Sequence, residues 1–307
     1  MSNQDKTIVV FTATGVQGGS VVDSLLEAGY KVVGLTRNVD GSGAKALKAK
    51  GAEVASADLA DVNSYKETLK GAYGVFINAD FWNIYAAQNY NVEATAKEET
   101  RQAVEAMKAA KEAGVKHVVY SSLDDNTQCP HWQSKADASK WAYANGVPLT
   151  NLIITAYFEN ISSFKLVQGP KEDGSYTFVL PMLDDTKHYG FSAVQTGLWV
   201  KEAFNNPDKW IGKDLYAVSG GETISEMAQI LSEISGKKVD TLHLTKEAFN
   251  SEGMKKQLGE EMWKNWDLFV NKRITRDVKA SMALAPGAWD FKTWAKNDKT
   301  IREILQF

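Results

Sequence analysis

The chain has 307 residues, 44% of them hydrophobic and 24% charged, with a formal net charge of −3. That is enough for one large domain or two lobes around a sizeable core. It lacks the basic field that holds nucleic acid, so no direct nucleic-acid partner is expected. No run approaches 18 apolar residues, which argues against a membrane span or a membrane partner, and the single cysteine, Cys129, excludes an internal disulfide.

The N-terminus "MSNQDKTIVVF" is polar and then enters a strand pattern directly. It lacks the charged start and apolar core of a signal peptide, so a cytoplasmic setting is expected, with a nuclear one also open. Short apolar runs follow at "TIVVF" (7–11), "KVVGLT" (31–36), "AEVAS" (52–56), "GVFINA" (74–79), "HVVYSS" (117–122) and "TNLIITA" (150–156). Such runs read as buried parallel strands. Helical patterns lie between them: "GGSVVDSLLEAG", "AKALKAKG", "VNSYKETLKG", "KEETRQAVEAMKAAKEAG" and "SKADASKWAYANG", each ending at or near a glycine. Strand–helix alternation predicts an α/β fold, a Rossmann-like doubly wound parallel sheet with right-handed crossovers.

The alternation weakens after about residue 157. "SYTFVLPM" and "DLYAVSGG" read as short strands, and "TISEMAQILSEISG" as an amphipathic helix opened by a capping box from Thr223 to Glu226. Six of nine tryptophans lie at or beyond Trp199, with Trp263, Trp266, Trp289 and Trp294 near the end. Core packing is the simplest role for them; an aromatic cleft or partner surface is the alternative. The expected domains are a dinucleotide-binding domain over 1–156 and a smaller mixed, mainly helical lobe over 157–307. That lobe would cover the carboxyl edge of the sheet, and some of its strands could return to it.

The stretch "TATGVQGG" after the first strand looks like a dinucleotide turn, with Thr12 where the first glycine would stand. Gly15 permits the turn, and Gly18 lets the helix start approach the sheet and a pyrophosphate, whose charge suits the free N–H groups there. A side chain at Gly15 or Gly18 is expected to abolish dinucleotide binding while the fold survives. The second strand ends in "GLTRN", with Arg37 and no acid. Arg37 can pair with a 2′-phosphate, which favours NADP(H) over NAD(H); an exposed arginine without a ligand is the alternative. Asp58 either accepts from an adenine amino group or caps the segment that follows.

These motifs, with "HWQSK", "GVPLTNLIITAYFEN" and "MALAPGAWDFKTW", resemble the NmrA-like family of atypical short-chain dehydrogenases/reductases. The likeness runs over nearly the whole chain and is close to the family's NADP(H)-sensing branch. The resemblance implies an NAD(P)(H) cofactor held by Thr12, Ala13, Thr14, Gly15, Val16, Gln17 and Gly18, by Arg37, Asp58 and Leu59, and by Asn78, Ala79 and Asp80. It adds Arg101, Lys135, Tyr157, Phe158, Glu159 and Asn160. It also implies a regulatory protein partner and leaves room for a homodimer. Asp40, Gly41 and Ser42 depart from the branch's basic residues, 83–92 looks like an insertion, and the loop "DDNTQCP" looks shortened.

Short-chain reductases use Tyr-x-x-x-Lys, whose spacing puts both side chains on one helix face. The lysine holds the nicotinamide ribose and lowers the pKa of the tyrosine that donates the proton. This chain has His131-Trp-Gln-Ser-Lys135. An imidazole can donate near neutral pH, so His131 and Lys135 are the candidate catalytic pair; a helix cap and a solvated lysine are the alternatives. Ser121 and Ser122 could donate to an oxyanion or bond the backbone. The four histidines are scattered, which predicts no metal site. The expected function is a redox-sensing regulator that is not an efficient enzyme; the alternative is an NAD(P)H-dependent reductase of a small carbonyl or quinone-like substrate.

Overall fold

The computed structural model describes residues 2–125 and 128–307. The loop "DDNTQCP" includes residues 126 and 127, which lie outside that range. The chain divides into two compact units, residues 1–154 with 194–217, and residues 155–193 with 218–307.

The first unit opens with β1 (Thr7–Val10), α1 (Val16–Glu27), β2 (Lys31–Thr36), α2 (Ser42–Ala49), β3 (Glu53–Ser56) and β4 (Gly74–Ile77). It continues through α3 (Phe81–Ala87), α4 (Val92–Glu112), β5 (His117–Ser122), α5 (Pro130–Ala144) and β6 (Leu149–Ile153). The chain next runs through β7 (Ala156–Tyr157), α6 (Glu159–Ser163), β8 (Val167–Gln168), β9 (Tyr176–Phe178) and β10 (Gly190–Phe191). It then returns with α7 (Thr196–Asn205), α8 (Pro207–Trp210) and β11 (Lys213–Tyr216).

The seven parallel strands of the first unit stand in the order β11-β6-β5-β4-β1-β2-β3. Ile8, Val9 and Val10 are fully buried, as are the central residues of β4 and β5, which explains their continuous apolar runs. This is a Rossmann-like doubly wound sheet. The order reverses between β1 and β4, so the loops leaving these two strands diverge and open a crevice at their carboxyl ends. On one side, α7 lies close against α1: a Cβ at Gly197 would stand 2.1 Å from the Ser20 carbonyl oxygen, and the Gly197 N–H donates to Ser20 Oγ at 2.9 Å.

One helix expected from the pattern is absent. "VNSYKETLKG" forms a single 3₁₀ turn, Val62–Ser64, and then a series of turns. The Ser64 hydroxyl bonds the Asp58 and Asp61 carbonyls, a local competitor to helix hydrogen bonding. Tyr65 and Leu69 are fully buried, Tyr65 edge-on to Phe11 with ring centres 4.9 Å apart. Helices α4 and α5 start earlier than the pattern suggests, because Asn91 caps one and Pro130 occupies the first turn of the other.

The second unit holds β7 to β10 and α6, then α9 (Ile224–Ser235), β12 (Val239–Thr241), α10 (Lys246–Phe249), α11 (Glu252–Leu258), α12 (Glu260–Val270), α13 (Val278–Leu284), α14 (Phe291–Asn297) and α15 (Lys299–Leu305). It is mainly helical, with a mixed sheet β12-β9-β8 and a short pair β10-β7. The capping box forms as read: the Thr223 hydroxyl accepts from the Glu226 N–H and the Glu226 carboxylate from the Thr223 N–H. Trp294 packs as core, 5.5 Å from Phe158 and 5.8 Å from Phe291, and half-buried Trp263 stacks on buried Phe249 at 5.7 Å.

Burial holds two histidines neutral, His117 in the first unit and His188 in the second. His117 is fully buried and shares a 2.7 Å hydrogen bond with Thr150; burial, with a smaller contribution from Lys6, pushes its pKa down to about 4. Burial alone pushes His188 to about 4. The unfolded chain binds these protons near pH 6.5, before the folded one does. Their stabilisation is therefore complete above pH 6.5 and is lost as pH falls toward 4, by about 1.4 kcal/mol per pH unit for each. Denaturant titrations between pH 7 and 4 should show a shallower acid slope for His117→Gln than for the wild type; equal slopes would contradict this assignment.

Candidate functional site

The turn between β1 and α1 is built on Thr12, whose φ of 49° lies in the left-handed region, where a β-branched residue is strained. Its hydroxyl donates to the Phe11 carbonyl at 2.8 Å and its carbonyl accepts from the Gly15 N–H at 2.9 Å. A Cβ at Gly18 would stand 2.2 Å from Thr12 O and 2.9 Å from Ala13 Cα. Gly18 is therefore required by the fold itself, which corrects the expectation that a side chain there costs only binding. At Gly15 a Cβ would stand 3.2 Å from Thr12 O, a tight contact that the turn can relieve. Thr14, Gly15 and Val16 are exposed while Ala13, Gln17 and Gly18 are buried. The helix start is thus anchored below and open above, where its N–H groups suit an anion.

The ends of β2, β3 and β4 surround this turn within the same sheet. Thr14 Oγ1 and Thr36 Oγ1 are 3.3 Å apart, tying the turn to the end of β2. Arg37 is exposed, and its guanidinium has no partner among the described residues. Asp58 is exposed as well; its Oδ1 accepts from the Ala60 N–H at 3.0 Å, while Asp61 takes the capping role. Leu59 is half-buried. After β4, Asn78 is half-buried, Ala79 buried, and exposed Asp80 caps α3 through the Asn83 N–H.

Lys135 is not a solvated lysine. Its side chain is 9% exposed and its Nζ donates to Ala79 O at 2.6 Å and to Glu99 Oε1 at 2.8 Å. Glu99 is fully buried on α4 and also accepts from the Ser134 hydroxyl. One helical turn before Lys135, His131 is 8% exposed, with its Nδ1 3.3 Å from Cys129 Sγ. Its ring lies 5.7 Å from Phe81 and 5.3 Å from the half-exposed Trp82. Ser122 Oγ shares a 3.0 Å hydrogen bond with Ser139 Oγ, which donates to Asn151 at 2.7 Å. Both Ser121 and Ser122 are fully buried.

Arg101 is committed elsewhere. Its Nε and Nη2 donate to Glu98, its Nη1 to Glu105 at 2.5 Å, and its Nη2 also to the Ala60 carbonyl. These carboxylates hold its pKa above the ordinary arginine value, Glu98 foremost. Tyr157, Phe158, Glu159 and Asn160 belong to the second unit. There the Phe158 ring is core, and the Glu159 carboxylate accepts from the Ser192 hydroxyl at 2.5 Å and the Ala193 N–H at 2.9 Å. That unit also contains a cavity of about 990 Å³ lined by Lys187, Tyr189, Glu222 and Arg276, where burial raises the Glu222 pKa. Nothing in the pattern marked this cavity. Glu99 was equally unmarked, yet one signal for it exists: it falls on the buried stripe of Thr95, Ala103, Ala106 and Ala110, and a charge on such a stripe requires a partner.

The pattern of the NmrA-like family matches residues 4–294. An Aspergillus japonicus NmrA-like family domain-containing oxidoreductase, himF, is 26% identical over 249 residues, covering 75% of this chain and 73% of its own. A Dictyostelium discoideum NmrA-like family domain-containing protein is 27% identical over 252 residues, covering 76% and 79%. Among solved structures, NmrA, a negative transcriptional regulator, in complex with NADP superposes with a TM-score of 0.79 at 20% identity, covering 98% and 97% of the two chains. The NADPH-dependent quinone oxidoreductase QOR2 of Escherichia coli, complexed with NADPH, gives 0.73 at 21% identity, covering 94% and 98%. With the family pattern spanning nearly its whole length and its sheet order, this chain belongs to the NmrA-like family.

Proposed function

We propose that this protein binds NAD(P)(H) at the β1–α1 turn and acts as a redox-responsive regulator. The residues fit such a cofactor. The α1 start would hold the pyrophosphate, Arg37 would meet a 2′-phosphate with its unpaired guanidinium, and Asp58, whose Oδ1 takes the Ala60 N–H, would accept from the adenine with Oδ2. Lys135 would donate its remaining N–H to a ribose hydroxyl. When bound, the cofactor supplies a hydride donor or acceptor. NmrA, solved with NADP and with NAD, and QOR2, solved with NADPH, support this choice of ligand.

The observation that carries the regulatory reading is the state of Lys135. In Tyr-x-x-x-Lys chemistry the lysine's positive charge lowers the tyrosine pKa. Here Glu99 compensates that charge at 2.8 Å, and residue 131 is a histidine packed against Phe81 and Cys129. The lysine keeps its use as a donor and loses most of its use as a field. Signalling then requires one redox form of the cofactor, or one conformation of the protein, to be bound more tightly, and the readout would be a protein partner in the cytoplasm or nucleus. A second reading, reduction of a small carbonyl or quinone-like substrate, is favoured by relatives that carry the name oxidoreductase and by the exposed Trp82 ring beside His131.

Calorimetry with NADPH, NADP+, NADH and NAD+ tests ligand and redox discrimination together; failure of all four to bind would remove the proposal. Arg37→Ala should weaken NADPH about ten- to hundredfold and NADH much less, as expected for one charge-assisted phosphate contact. Equal losses would mean that Arg37 does not read the 2′-phosphate.

A steady-state absorbance assay with a panel of carbonyls and quinones separates the two readings. The wild type should turn over almost nothing while binding NADPH. His131→Tyr should bind NADPH similarly and gain little activity, because Glu99 already neutralises Lys135. Brisk wild-type turnover would favour the reductase.

A further inference from the structure

Helix α4 lays its buried stripe against α5, and at the level of the β4 carboxyl end that stripe carries Glu99. Both carboxylate oxygens are used: Oε1 by Lys135 at 2.8 Å and Oε2 by the Ser134 hydroxyl. Lys135 Nζ spends a second donor on Ala79 O at 2.6 Å. An ammonium has three N–H donors, so two directions are fixed and the third is determined by them. A lysine stem this buried cannot sample other rotamers to aim its charge, and its counter-ion is equally immobile.

We infer that Glu99 is a positioning residue for the nicotinamide half of the cofactor. It acts through Lys135 by fixing the direction of the remaining N–H, beside the donor that Ala79 O takes, and by cancelling the charge behind that N–H. The cancellation sets what the donor prefers. An uncompensated buried ammonium attracts anions, whereas a paired one is left as a directional donor suited to a neutral oxygen such as a ribose hydroxyl. Anion recognition is thereby left to the α1 start and to Arg37, whose guanidinium has no carboxylate partner among the described residues. The inference rests on the NAD(P)(H)-binding reading above.

The test compares the whole cofactor with its adenine half. Wild-type protein and Glu99→Gln are titrated calorimetrically with NADPH and with 2′,5′-ADP, which lacks the nicotinamide and its ribose. Loss of the orientation of one charged donor should weaken NADPH roughly tenfold and leave 2′,5′-ADP unchanged. Unchanged NADPH affinity would overturn the inference, and so would equal weakening of both ligands, the mark of a merely structural role. If Glu99→Gln does not fold, Ser134→Ala loosens the same carboxylate without leaving a buried charge unpaired. It should weaken NADPH a few-fold and spare 2′,5′-ADP, and any other outcome counts against Glu99. Failure of the wild type to bind NADPH at all would instead strike the underlying reading, before any substitution is made.

Discussion

Helix α1 begins in contact with the backbone that delivers it. The approach of Gly18 to Thr12 and Ala13 leaves no room for a Cβ, and the rest of the first unit's binding geometry depends on that closeness. It fixes the direction of α1, and with it the direction of the dipole and of the first N–H groups. It also holds Thr12 in a left-handed conformation that a glycine would adopt without strain. The turn's geometry is set by the backbone, not by the residue type at position 12: the threonine hydroxyl and carbonyl both find partners, and these help to offset the strain.

Charge is distributed unevenly around the crevice between β1 and β4. Lys135 and Arg101 are each paired with carboxylates, Glu99 for one and Glu98 with Glu105 for the other. Arg37 has no such partner among the described residues. A paired cation in a buried site is a stiff hydrogen-bond donor, whereas an unpaired exposed one is an anion receptor whose strength falls with salt. The two kinds of cation therefore suit different parts of a dinucleotide, and the difference comes from their neighbours.

The aromatic residues divide in a similar way. In the second unit Phe158, Phe291 and Trp294 pack together as core, while Trp263 stacks on buried Phe249 and stays half-buried. In the first unit α3 leaves Trp82 half-exposed while Phe81 turns inward, and both rings border His131. No helix in the described residues is long and apolar enough to cross a membrane.

Local pattern alone determined six strands of the main sheet, the glycine turn, the capping box at Thr223 and the family. Each is written in residues adjacent in the chain: apolar runs for buried strands, glycine where the backbone must turn, a hydroxyl three residues before a carboxylate. The helix expected over 62–71 failed because the Ser64 hydroxyl bonds the Asp58 and Asp61 carbonyls and Asp61 caps a single 3₁₀ turn, a local hydrogen-bond set that competes with a helix. Tertiary structure alone decided that β11 closes the sheet beside β6, that Arg101 is occupied, and that Lys135 is buried against Glu99. Those outcomes depend on which surfaces of separate helices and strands meet, and residues 36 positions apart carry no mark of each other until α4 and α5 pack.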